Sequence, residues 1–152
     1  ELFGSMTVWD NLLLGTYSLS KRERKEVLGK RLETLYTLFP ILKERLKQRA
    51  ETMSGGQQQM LTLARALMAN TRLVVLDEPS LGLSPLLVSE MMHVLKRLSS
   101  EMGVSLLLVE QNVRAALKIA DFAYVLDRGQ VVLSGSCQEV SSSPTIQSAY
   151  LG

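Results

Sequence analysis

The segment LVVLDEPS, at residues 73–80, is the most informative part of the chain about its fold. Its first four residues form an apolar run of strand length, which is typical of a strand buried in a parallel sheet. Asp77 and Glu78 follow directly, at the carboxyl end of that strand, where ligands bind in parallel α/β folds. The stretch therefore predicts an α/β domain with an acidic pair at a ligand-binding edge of its sheet.

This acidic pair is suited to nucleotide hydrolysis. One carboxylate of such a pair can hold Mg²⁺, usually through water. The other can polarise the attacking water as a general base. An acidic turn that only caps the next helix remains the alternative, because an apolar run followed by Asp-Glu is only moderately specific.

The chain differs in character on the two sides of this stretch. Residues 1–70 are predicted to be mainly helical, with helices at 7–14, at about 21–37 after a Ser20/Glu23 capping box, and at about 55–69. Residues 71–152 alternate apolar runs with helical patterns, as parallel α/β structure does. The predicted order there is a helix at 85–102, a buried strand at 104–109, a helix at 112–120 and a hairpin turning at 127–130. Two short helices are expected in the tail.

A second segment, MSGGQQQM at residues 53–60, also carries chemistry. Gly55 and Gly56 leave backbone N–H groups open to close approach, and Ser54 caps the helix that follows. The start of a helix favours anions, so Ser54 to Gln57 form a plausible phosphate contact. An ordinary capped helix is the better interpretation for Ser-Gly-Gly taken by itself.

Taken together, the two segments are far more specific. MSGGQQQM, a helix carrying ARAL, LVVLDEPS and then LGLSP at this spacing closely resemble the ATPases of ABC transporters. TVWDNLLLG, FPILKERLKQRA, LLLVEQN and the final AYLG resemble those of branched-chain amino-acid importers in particular. The resemblance implies one partial ABC ATPase domain. It would comprise a partial P-loop NTPase-type parallel sheet, in a core lobe at 71–152, and an α-helical signature subdomain at 1–70.

The resemblance also implies roles for individual residues, with ATP and Mg²⁺ as cofactors. Asp77 would lie near Mg²⁺ and Glu78 would be the catalytic base. Gln111 stands at the switch position, which is usually His, and an amide cannot carry the positive charge that His can. The signature residues Ser54, Gly55, Gly56 and Gln57 would contact the nucleotide of an opposite subunit. Leu81, Gly82, Leu83 and Ser84 match the D-loop at the dimer interface, with Ser84 in place of the usual Asp.

No G-x-x-x-x-G-K-[ST] phosphate loop occurs in the 152 residues. In the family that loop precedes all the segments found here, and the chain starts at Glu1 rather than Met, so we expect an N-terminally truncated sequence. The strand that carries the loop would separate the strand at 104–109 from the one at 123–126. We therefore expect unpaired apolar edges, marginal stability and no ATPase activity for this chain alone.

The expected partners are a second ABC ATPase subunit, either identical or a paralogue, in a head-to-tail dimer, and transmembrane permease subunits. A periplasmic or extracellular binding protein would act indirectly. The location implied is cytoplasmic, peripheral on the inner face of the membrane. Two alternatives remain open: a non-catalytic interaction module derived from such an ATPase, and an ABC ATPase that acts on DNA or ribosomes.

Composition and charge further narrow the classes of protein to which the chain could belong. Net charge is +2, and basic residues of 21–31 alternate with acidic ones, so a solvated helix face is favoured and no nucleic-acid partner is expected. The single cysteine, Cys137, excludes a disulfide framework. No apolar run approaches the roughly 20 residues of a membrane helix.

Overall fold

The computed structural model describes residues 2–69 and 71–148, so the AYLG motif lies outside the described residues. The chain divides into two compact units, Glu1–Val74 and Val75–Gly152. Within the described ranges, no helix is long and apolar enough to cross a membrane. The helices and strands described below confirm the α/β class.

The first unit is helical, and local capping rules determine where its helices start. It contains α1 (Val8–Leu14), α2 (Lys21–Leu38), α3 (Pro40–Glu44), a 3₁₀ turn (Ala50–Thr52) and α4 (Gly55–Met68). Capping boxes open three of these helices, at Thr7/Asp10, Ser20/Glu23 and Ser54/Gln57. The helix predicted from Ser20 and Glu23 is confirmed, and so is the one capped by Ser54.

The core of this unit forms where α1, α2 and α3 pack on α4. Its fully buried side chains are large and apolar, and include Leu12, Leu35, Phe39, Leu42, Leu61 and Leu67. Asn11, one of two polar residues of this unit that are completely buried, bonds to the carbonyl oxygens of Phe3 and Thr7 and to the Phe3 N–H, so both its donors and its acceptor have partners. This pairing ties residues before α1 to the helix.

Gly15, the residue after α1, is required by close packing and not by a special backbone angle. Its φ of −59° is ordinary for any residue. A Cβ at this position would lie 2.2 Å from the Arg65 carbonyl oxygen and 2.8 Å from the Met68 Cβ. Only glycine therefore allows the end of α1 to touch the backbone of α4.

The second unit contains the carboxyl ends of the first two strands. Strand β1 (Leu73–Asp77) crosses the unit boundary, and α5 (Pro85–Met102) leads to β2 (Ser105–Val109) in the same sheet. The Glu78 N–H, just after β1, donates to the carbonyl oxygen of Val109, the last residue of β2, at 2.8 Å. The two strands therefore end side by side and run parallel, with α5 as the crossover.

The rest of the unit follows the predicted order. It consists of α6 (Val113–Ile119), β3 (Phe122–Asp127), β4 (Gln130–Ser136), α7 (Cys137–Ser142) and α8 (Pro144–Ile146). Strands β3 and β4 form the predicted hairpin, with Asp127 opposite Gln130. Arg128 and Gly129 have φ values of 49° and 78°, as a two-residue type I′ turn requires.

The strands are much more exposed than their apolar sequences predict. The described residues form two separate two-stranded sheets, β1-β2 and β3-β4. Half or more of each of several large side chains is exposed, including Leu73, Val75, Leu107, Phe122, Tyr124 and Leu126. The expectation of fully buried strands at 73–76 and 104–109 is therefore wrong for these side chains, because a strand is buried only when neighbouring elements cover it.

Candidate active site

The ends of β1 and β2 position the polar side chains of the second unit. Asp77 is the last residue of β1 and Glu78 follows it, while Glu110 to Asn112 follow the last residue of β2. The hydrogen bond from Glu78 N–H to Val109 keeps these two segments adjacent. This edge is the predicted ligand edge, because both strands present their carboxyl ends there.

Glu78 and Gln111 meet at this edge. The Gln111 Nε2 donates to the Glu78 Oε1 at 2.6 Å, across 33 residues of sequence. Gln111 is exposed and Glu78 is half-buried, so both side chains can reach a ligand from solvent. The contact joins the predicted base to the predicted switch residue, and the amide leaves the second oxygen of the Glu78 carboxylate for other partners.

Glu78 also has an unusual backbone. Its φ is 46°, in the left-handed region that residues other than glycine rarely adopt. Such a conformation costs on the order of 1–3 kcal/mol and persists only where surrounding contacts hold it. The turn after β1 is thus specifically constrained at the residue that carries the candidate base.

Sequence reasoning missed Glu110. Its Oε1 accepts from the Ser80 N–H at 2.9 Å and its Oε2 accepts from the Ser80 Oγ at 2.8 Å. Ser80 is buried, so both of its donors depend on this carboxylate for satisfaction. The only sequence signal was the position of Glu110, one residue before the switch residue at a strand end.

The D-loop residues lie between this edge and α5. Gly82 has a φ of 75°, which glycine adopts without strain, and Leu81 is largely exposed. Ser84 is the N-cap of α5, and its Oγ accepts from the Leu87 N–H at 3.4 Å. An open groove of about 710 Å³ runs beside these residues and is lined by Glu78, Glu110 and Gln111 together with side chains of α5 and α6.

Asp77 is exposed at the end of β1, and its surroundings limit how a metal could be held. Among residues 2–69 and 71–148, no three His, Cys, Asp or Glu side chains are grouped closely enough to bind a metal ion by themselves. Mg²⁺ needs no such cage, since it is commonly held by one or two carboxylates, waters and substrate phosphates. The single exposed carboxylate of Asp77 fits that mode of binding.

The signature residues lie in the first unit, at the start of α4. The Gln57 N–H donates to the Ser54 Oγ at 3.4 Å, and the Ser54 N–H donates to the Gln57 Oε1 at 3.1 Å. Ser54 and Gly55 are exposed, and a Cβ on Gly55 would meet nothing within 4 Å. The hydroxyl proton of Ser54 and the first amide groups of α4 are thus able to face an anion.

The structure therefore brings together one pair of predicted site residues, Glu78 and Gln111. Asp77 and the residues predicted as the D-loop are close to Glu78 in the sequence. The signature residues form a second, separate cluster. The first cluster can polarise a water and contact phosphate oxygens, and the second can bind an anion at a helix start.

Comparisons with known proteins bear on the family and on the fold. The family model described as ABC transporter matches residues 1–81. The chain is 45% identical over all its 152 residues to the high-affinity branched-chain amino acid transport ATP-binding protein BraG of Pseudomonas aeruginosa. It is 34% identical over the same length to the probable branched-chain amino acid transport ATP-binding protein LivF of Archaeoglobus fulgidus. It spans 63% of the length of each of these relatives.

A solved structure gives the same result for the fold. The ADP conformation of MJ1267, an ATP-binding cassette of an ABC transporter, superposes with a TM-score of 0.74 at 26% sequence identity. That match covers 98% of this chain and 64% of the other.

Proposed function

The chain belongs to the ABC transporter family, and on that premise we propose that it is part of an ATPase subunit that couples ATP hydrolysis to the import of branched-chain or related amino acids. The identity of 45% to BraG, whose name states that transport, supports the cargo class. The observation that carries the hydrolytic role is the contact of 2.6 Å between Glu78 and Gln111 at the ends of two parallel strands.

In this proposal Glu78 is the general base. Its carboxylate would accept a proton from the water that attacks the γ-phosphate of ATP, and Gln111 would orient that carboxylate and contact a phosphate oxygen. Because Gln111 is a neutral amide, it can do so only by hydrogen bonding. Asp77 would hold Mg²⁺ through water, and the ion would neutralise charge that develops on the phosphates.

Ser54, Gly55, Gly56 and Gln57 act at a second nucleotide in this proposal. They would contact the γ-phosphate bound by an opposite ATPase subunit in a head-to-tail dimer, using the open start of α4. Leu81, Gly82, Leu83 and Ser84 would lie along the interface between the two subunits. The large exposure of Leu81 supports this, since an apolar side chain gains most when a partner covers it.

The other partners proposed are transmembrane permease subunits and, indirectly, a periplasmic or extracellular binding protein. This assembly would place the protein on the cytoplasmic face of the membrane, at its periphery. The main affinity for nucleotide would come from a phosphate loop, which these 152 residues do not contain. We therefore expect ATP hydrolysis from the full-length protein and not from the 152-residue chain alone.

The test is Glu78→Gln in the full-length protein that contains this chain. The amide keeps the size of the side chain and can still accept from Gln111, but it cannot take a proton. General bases contribute about 10²–10⁴-fold, so we expect phosphate release to fall at least roughly 100-fold while ATP binding is retained. Glu101→Gln is a matched control, because Glu101 is an exposed carboxylate of α5 bonded to Arg97.

The alternative of a non-catalytic interaction module makes a different prediction. It requires no phosphate release from the wild-type full-length protein and no effect of Glu78→Gln. Hydrolysis by wild type that Glu78→Gln leaves near its normal rate would refute the role of Glu78 while leaving the ATPase itself intact.

A further inference from the structure

Ser80 and Glu110 form a two-point bridge between the turns that follow β1 and β2. Both donors of Ser80, its N–H and its Oγ–H, bond to the two oxygens of the one carboxylate, at 2.9 Å and 2.8 Å. Ser80 is 9% exposed, so water does not readily replace these bonds. Hydrogen bonds to a charged acceptor are about twice as strong as neutral ones, which makes the bridge a firm link.

The bridge adjoins the constrained residue of the site. Glu78, with its φ of 46°, lies two residues before Ser80. Three links hold this turn: Glu78 N–H to Val109 O at 2.8 Å, Leu81 N–H to Glu78 O at 3.1 Å, and the Ser80 bridge. The first two are backbone bonds, so the bridge is the only one of the three that a side-chain substitution can remove.

Resting on the proposed ATPase function, we propose that Glu110 is a positioning residue for Glu78. Its carboxylate fixes Ser80, and Ser80 fixes the left-handed turn that presents Glu78 to Gln111. Glu110 does not act as the base itself, because both of its oxygens already accept hydrogen bonds from Ser80. Glu78 has one oxygen bonded to Gln111 and the other oxygen available for water.

The chemistry of the bridge predicts which substitutions it tolerates. Glu110→Gln can keep both links to Ser80, because its amide oxygen accepts from the Ser80 N–H and its amide nitrogen donates to the Ser80 Oγ; it gives up only the long bond of 3.5 Å that the Asn112 N–H donates to the Glu110 Oε2. Glu110→Ala removes both links and leaves two buried donors unsatisfied. Ser80→Ala removes one link, and Ser80→Thr keeps the hydroxyl.

The experiment measures kcat, KM for ATP and the thermal midpoint in the full-length protein. We expect kcat to fall about 10- to 100-fold in Glu110→Ala, as misplacing a reacting group does, with KM within about twofold of wild type. Glu110→Gln should recover most of that loss, which no general base would allow. Ser80→Ala should lose part of kcat and Ser80→Thr should recover it, so the proposal is tested even if Glu110→Ala fails to fold. Glu101→Gln again serves as control.

The outcomes separate this proposal from the proposed function. A wild-type protein that releases no phosphate would overturn both. An active wild type whose kcat is unchanged in Glu110→Ala would overturn the positioning role alone. Equal loss of kcat in Glu110→Gln and Glu110→Ala would show that the negative charge of Glu110 matters and its hydrogen bonds to Ser80 do not. That result would also overturn the positioning role. Loss of kcat in Ser80→Ala that Ser80→Thr does not recover would do the same.

Discussion

Gly15→Ala should destabilise the protein although it adds a single methyl group. The new Cβ would lie 2.2 Å from the Arg65 carbonyl oxygen, and real Cβ atoms essentially never approach within 3.0 Å. The end of α1 and the backbone of α4 would have to separate by about 0.8 Å, from 2.2 Å to 3.0 Å, because the nearest atom belongs to the backbone and not to the far end of a flexible side chain. Overpacking of this kind costs about 1–3 kcal/mol.

Gly29→Ala is the control. It makes the same chemical change as Gly15→Ala, but the expected change in stability has the opposite sign. Gly29 lies inside α2, is exposed, and a Cβ there meets nothing within 4 Å. Alanine in a helix interior is favoured over glycine by about 0.5–1 kcal/mol, so this variant should be more stable than wild type.

The assay is thermal unfolding of both full-length variants, followed by circular dichroism. For a protein of roughly 150–250 residues, 1 kcal/mol shifts the midpoint by about 2–4 °C. We therefore expect a fall of about 2–12 °C for Gly15→Ala and a rise of about 1–4 °C for Gly29→Ala. A midpoint for Gly15→Ala equal to or above that of wild type would refute the close approach of α1 to α4.

Two substitutions test local backbone geometry, and the isolated chain tests the effect of the exposed strands. Ser54→Ala removes the acceptor for the Gln57 N–H and should lower the free energy of unfolding, measured in urea, by about 1 kcal/mol. An unchanged free energy of unfolding would mean that the capping box does not stabilise the helix in solution. Gly129→Ala places a side chain at a φ of 78° in the hairpin turn, so the free energy of unfolding should fall, whereas an unchanged value would contradict a type I′ turn. The isolated 152-residue chain exposes apolar strand residues, so it should aggregate or unfold without a sharp transition. Light scattering would detect aggregation, and calorimetry would show the broad transition. A single cooperative transition in calorimetry would contradict this prediction.

Local sequence patterns predicted the helices and the hairpin because local interactions form them. The Ser20/Glu23 capping box places the start of α2 at the residue where the structure has it. Asp127 to Gln130 predicted the turn between β3 and β4, since Gly129 readily adopts a positive φ. Such features depend on residues at most four apart, which a single sequence displays.

Burial and the Glu110 bridge could not be predicted in the same way. Leu73 and Val75 read as residues of a buried strand, yet both are more than half exposed. Their burial depends on what packs against the sheet, and no property of the run itself encodes that. The bond from Ser80 to Glu110 spans 30 residues and depends on the register of two parallel strands.

The order of Glu110 and Gln111 has a physical reason that links the fold to the site. The two residues follow β2 directly, and their side chains reach different partners, Ser80 for Glu110 and Glu78 for Gln111. An exchange of the two residues would therefore place a neutral amide beside Ser80 and a carboxylate beside Glu78. Two like charges would then lie at hydrogen-bonding distance and repel each other, and no amide would donate to Glu78. In the observed order the charged residue satisfies two buried donors while the neutral amide contacts the proposed base. The order of the two residues thereby gives Glu78 a neutral hydrogen-bond donor that orients its carboxylate, as the proposed general-base role requires.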